Sequence, residues 1–114
     1  MLYIEDDYTI RLTRGDTAYL QVDITNADSD KQNTEYEFSS GDSLTLSIKK
    51  NIKDSEYLLN KVITGSKVFH IIPEDTKDAS FGKYVYDVQL TTEHGDIYTI
   101  IEPHAFVIMP EVTT

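Results

Sequence analysis

The sequence predicts an all-β fold, an antiparallel β-sandwich of about eight strands spanning residues 1–114 as one domain. Three observations predict it. Apolar residues alternate with period two in one stretch after another, while a helical period of 3.6 is sustained nowhere. Turn residues (Gly, Asp, Asn, Pro) punctuate those stretches at intervals of roughly 8–12 residues. Tyr84 and Tyr86 open one strand on its inward face, just after an acidic turn and Gly82.

Taken in order, Tyr8, Ile10 and Leu12 share one face and Thr9, Arg11 and Thr13 the other. After a bend at Arg14-Gly15-Asp16, Leu20, Val22 and Ile24 alternate with Gln21, Asp23 and Thr25. Asn26 to Thr34 has the composition of an exposed loop, and Tyr36 and Phe38 suit a short edge strand. Ser40-Gly41-Asp42 turns the chain into Leu44, Leu46 and Ile48, which alternate with Thr45, Ser47 and Lys49. Thr64-Gly65-Ser66 predicts a tight hairpin between Tyr57–Ile63 and Lys67–Ile72. Glu93-His94-Gly95-Asp96 predicts another between Tyr84–Thr92 and Ile97–Ile101. Pro103 cannot donate to a ladder and belongs at an edge, a bulge or a strand start, leaving Ala105 to Met109 as a last strand.

Several of these strands are apolar on both faces, at Val68 to Ile72, Ile97 to Ile101 and Phe106 to Met109. A small sandwich has one interior. The surplus is explained either by subunit contacts, with Tyr98, Ile100, Phe106 and Ile108 as the interface residues, or by irregular burial of twisted strands at the sandwich ends.

Between the hairpins, Pro73 ends a strand, and Glu74, Asp75 and Thr76 suit a single helical turn whose side-chain oxygens meet unpaired N–H groups. Gly82 permits a tight, positive-φ exit. Tyr84, Tyr86, Val88 and Leu90 then share the inward face, with Lys83, Val85, Asp87 and Gln89 opposite. A buried tyrosine at a strand start after a crossover turn matches the tyrosine corner of immunoglobulin-like sandwiches, its hydroxyl bonding crossover backbone. The place held in antibody domains by a disulfide cysteine, two residues on, is occupied here by Tyr86. Gly82, Tyr84 and Tyr86 are therefore assigned a structural role, and the sandwich is expected to be immunoglobulin-like.

Charge and composition exclude several function classes. A net charge of -10, with pI about 4.5, repels phosphate, so neither nucleic acid nor an anionic membrane is expected as a partner. Cysteine is absent, which removes disulfides and thiolate metal sites. The start Met1-Leu2-Tyr3-Ile4-Glu5-Asp6-Asp7 lacks the basic and apolar regions of a signal peptide, and no apolar run approaches the ~20 residues that span a bilayer.

Motif chemistry is sparse. Arg14-Gly15-Asp16 spells an integrin tripeptide but lies between two strands with almost no spare chain, so it reads as a turn. The three histidines, His70, His94 and His104, have no metal-ligand spacing. The acidic groups Glu5-Asp6-Asp7, Asp28-Ser29-Asp30 and Glu74-Asp75 do not fit a calcium loop. Asp75 and Asp78 carry the weaker reading of metal or acid-base ligands in the crossover. No phosphate loop, nucleophile elbow or zinc-protease motif occurs. The expectation is a non-enzymatic protein with no catalytic, cofactor or metal residues. Tryptophan is absent, and most of the eight tyrosines are expected to face inward, with Tyr36, Tyr57 and Tyr98 the outward ones.

The runs "IRLTRGDTAYLQVDI", "GDSLTLSIKK", "IIPEDTKDASFGKYVYDVQLTTEHGDIYTII" and "FVIMPEVT" together resemble small immunoglobulin-like proteins of phages and prophages. The nearest such group is the N-terminal domain of siphophage baseplate upper proteins. Such domains often lead into a further receptor-binding or fibre segment, whereas this sequence stops at Thr114. The resemblance implies a virion structural module of tail, baseplate or head-fibre type, assembled in the bacterial cytoplasm and docking on other virion proteins or on copies of itself. A carbohydrate-binding or adhesion module is the alternative, resting on the aromatic supply and the acidic loops.

Overall fold

The computed structural model describes residues 2–4, 7–24 and 37–111, and the chain there is mostly β. Its elements are β1 (Leu2–Ile4), β2 (Ile10–Thr13), β3 (Ala18–Gln21), β4 (Ser43–Lys49), β5 (Leu59–Thr64), β6 (Val68–Ile71), the single turn α1 (Pro73–Thr76), β7 (Gly82–Thr91) and β8 (Ile97–Met109). A six-stranded sheet runs in the order β1-β2-β8-β7-β4-β5, and β3 pairs with β6 in a separate sheet.

Alternation dictates which face each strand buries. In β4, Leu44, Leu46 and Ile48 are all fully buried, and in β7 Tyr84, Tyr86, Val88 and Leu90 are at most 6% exposed. These residues meet Leu20, Phe69 and Ile71 of the small sheet in one core, so the large sheet curls over the small one. Burial continues its alternation through Val22 and Ile24 although the β3 ladder stops at Gln21.

Several expectations are corrected. The large sheet is mixed, because β2 runs parallel to β8, pairing Ile10 with Phe106 and Leu12 with Ile108. Thr64-Gly65-Ser66 is no hairpin. β5 pairs with β4, and β6 leaves the sheet to pair with β3. Gly65 makes that crossing in a left-handed conformation (φ 72°), its N–H bonded to the Asp42 carbonyl. A glycine between two alternating runs signals a sharp reversal, whether or not the strands then pair. The separate last strand merges with its predecessor into β8, through a bulge at Pro103. The hairpin at Glu93 to Asp96 forms as predicted. Phe38 is half-buried outside any strand, and Tyr36, with the expected loop Asn26 to Thr34, lies outside the described residues. Tyr8 leaves the first strand at φ 67° and stands 57% exposed, and β1 was not anticipated.

Two buried polar side chains tie the turns to this frame. Thr76 accepts the Gly15 N–H at 2.8 Å, fixing α1 against the turn after β2. The Asp42 carboxylate, 1% exposed, accepts from Ser39 N at 3.0 Å and Glu93 N at 2.9 Å.

Candidate functional site

The crossover into β7 is held by side chains in structural roles. Asp75 accepts the Ile72 N–H at 2.9 Å, satisfying a donor at the start of α1, and pairs with Lys61 at 2.6 Å. Gly82 takes φ 124°. The Tyr84 hydroxyl donates to the Ser80 carbonyl at 3.0 Å, four residues upstream, inside the crossover. The Tyr86 hydroxyl reaches elsewhere, to the Tyr8 carbonyl at 2.6 Å. Burial pushes the Tyr86 phenol up to about 12. In Tyr84→Phe the expected loss is about 1 kcal/mol of stability, because the Ser80 carbonyl is only partly buried and water can replace its donor. Urea unfolding would measure it, and an unchanged midpoint would mean that the bond contributes nothing.

Other sequence candidates are likewise engaged. Arg14 forms a forked pair with Glu111, its nearest nitrogen 2.7 Å from the carboxylate, and stacks 4.2 Å over Phe81. Hydrogen bonding to Arg14 lowers the Glu111 pKa from its ordinary value. The tripeptide is a turn, with Gly15 at φ 80° and Asp16 N bonded to the Thr13 carbonyl. The histidines are apart: His70 stacks on Tyr19 at 4.5 Å, His94 is exposed at the hairpin tip, and His104 lies edge-on to Tyr8. Among the described residues no group of three or more His, Asp or Glu is placed to hold a metal ion. Asp28 and Asp30 lie outside them, and no described helix is long and apolar enough to cross a membrane.

The four interface candidates divide. Phe106 and Ile108, 0% and 1% exposed, face the core and offer nothing to a partner, because the parallel pairing with β2 turns them inward opposite Ile10 and Leu12. Tyr98 is 56% exposed and Ile100 half-buried, and both lie on the first half of β8. There β7 flanks one side, whereas β2 reaches only Phe106 to Met109 on the other. Among the described residues no strand pairs with the second side of Ile97 to Ile101. The run Ile97-Tyr98-Thr99-Ile100-Ile101 carries no charge and is β-branched or aromatic throughout, the kind of edge that templates another strand.

A second feature lies on the outer face of the large sheet. Two residues of β8, Glu102 and Pro103, stand against one of β7, Asp87, in a bulge that fits the missing N–H of proline. Asp87 is thereby left without a ladder partner on β8, while Ser47 faces it from β4. A groove of about 300 Å³ opens here, lined by Ser47, Lys49, Ile52, Tyr57, Val85, Tyr86, Asp87, Gln89 and Pro103. Burial raises the Asp87 pKa above the ordinary carboxylate value, and Lys49 opposes the rise. The Lys49 ammonium sits 4.7 Å from the centre of the Tyr57 ring, which is 51% exposed. Sequence reasoning placed Asp87, Gln89, Ser47 and Lys49 on outward faces. The adjacency of β4 to β7 and the bulge, which make a groove of them, carry no local signal. Tyr8 and Tyr19, also exposed, depart from the expectation of mostly inward tyrosines.

No family model, characterised protein or solved structure matches this chain.

Proposed function

We propose that the chain is a non-enzymatic docking module, a virion structural component of phage or prophage type. The observation that carries this reading is the uncharged, one-sided edge from Ile97 to Ile101. Among the described residues no strand takes up the N–H and C=O groups on the second side of this edge, which are available to form a ladder, and Ile97 and Tyr98, more than half exposed, supply side-chain contact. The simplest occupant is a second copy, with β8 against β8 in a two-fold antiparallel pair. A neighbouring virion protein presenting a strand is the other. The motif resemblance to baseplate and fibre modules supports the same reading.

The finer fold assignment belongs with it. β3 and β6 form the small sheet, and β1, β2, β8, β7, β4 and β5 form the large one. With Tyr84 bonded back into its crossover, this arrangement supports an immunoglobulin-like sandwich, with β4, β7 and β8 in the places of its C, F and G strands.

Sizing with light scattering across a concentration and salt series tests the docking reading. Self-association is expected to strengthen with salt, which screens repulsion between copies carrying -10 each. Thr99→Pro, which removes one backbone donor from this edge strand, is expected to reduce association at least about tenfold. A protein that stays monomeric throughout, and is missing from purified particles of its source strain by mass spectrometry, would remove the reading.

A further inference from the structure

We infer that the groove beside the β8 bulge is a binding site for a neutral saccharide of one or two rings. Its chemistry is mixed in the way such a ligand requires. Ser47, Asp87 and Gln89 project hydroxyl, carboxylate and amide from neighbouring strands of one sheet face, so their hydrogen-bonding groups share one surface. The Asp87 carboxylate is partly desolvated and lines the groove near Lys49, where a ligand hydroxyl can donate to it. Tyr57, half exposed at the rim, presents a ring on which the C–H face of a sugar can lie, and Pro103 adds apolar wall. The volume is at the small end of ligand pockets, which limits the ligand to one or two rings.

Charge removes the alternatives. A metal ion would meet one carboxylate and the Lys49 ammonium. An anion would meet Asp87 and the overall charge of -10. The floor belongs to paired strands of the sheet, so it offers no ladder to a peptide. The inference stands apart from the docking reading, because the groove lies on the sheet face and the open edge lies along β8.

The test is residue-resolved NMR titration of the full chain with glucose, galactose, N-acetylglucosamine and cellobiose, each to about 50 mM. At least one sugar is expected to give saturable shifts confined to the amides of Ser47 to Lys49 and Val85 to Gln89 and the Tyr57 ring. Tyr57→Ala and Asp87→Ala are each expected to weaken binding at least about tenfold. Asp87→Asn, which keeps the shape and one acceptor, is expected to weaken it several-fold while the spectrum elsewhere stays native. Tyr98→Lys, on the open edge, is expected to leave it unchanged. Absence of saturable shifts with all four sugars, or shifts that survive either alanine substitution, would overturn the assignment.

Discussion

Phe106→Ala is expected to destabilise the chain by about 3–5 kcal/mol while leaving any self-association of the folded protein intact. The ring is fully buried, packs edge-to-face against Tyr86 with centroids 6.0 Å apart, and lies between Ile10 on β2 and Tyr84 on β7. Its removal opens a cavity that surrounding strands cannot close, because the six-stranded ladder fixes their spacing. Against a total stability of about 5–15 kcal/mol, that loss takes a large share. The melting temperature should fall by roughly 12–20 °C. Sequence alone placed Phe106 and Ile108 at an interface, and this substitution separates the two assignments. Normal stability with lost association would return Phe106 to the surface.

Asp42→Ala is expected to cost about 2–4 kcal/mol, far more than a surface carboxylate would. The side chain is 1% exposed, and its two oxygens accept from backbone N–H groups of Ser39 and Glu93, which come from different loops. Alanine leaves both donors without that acceptor. It also frees the β7–β8 hairpin from the turn before β4, while the Asp42 carbonyl still receives the Gly65 N–H. Asp42→Asn keeps one oxygen acceptor and turns an amide group toward the other donor, so an intermediate loss is expected. Equilibrium unfolding in urea reads both. If the alanine and asparagine proteins unfold at the wild-type midpoint, the carboxylate does not hold these loops together.

Alternation was the legible part of this fold. The inward residues of β4 and β7 follow from period two alone, and the helical turn at Pro73, the positive φ of Gly82 and the hairpin at Glu93 to Asp96 follow from their turn and capping residues. Pairing was not legible where it joins distant segments. Nothing local distinguishes a Gly65 that closes a hairpin from one that carries the chain to another sheet, and the parallel contact of β2 with β8 spans nearly the whole sequence. The same limit explains Phe106. An apolar run with both parities filled shows that one face is buried without showing which, and two register shifts upstream, at Glu102-Pro103 and at Ile100, interrupt the alternation. The open edge was half visible, as the surplus apolar run at Ile97 to Ile101, but that no described strand flanks its second side follows from where the β2 pairing stops, at Phe106. Tyr86 is buried as alternation predicts, but that its hydroxyl finds the Tyr8 carbonyl was not legible, because it depends on the left-handed conformation of Tyr8.

The docking reading rests on the second side of β8 being open in the monomer and covered in the assembly. Residue-resolved amide hydrogen exchange, run at low and at high protein concentration, measures that side directly. In the dilute protein, the amides of Ile97 to Ile101 that do not face β7 should exchange quickly, and at high concentration they should slow while the β3 and β6 amides keep their rates. Protection of those amides already in the dilute monomer, or rates unmoved by concentration, would contradict the account.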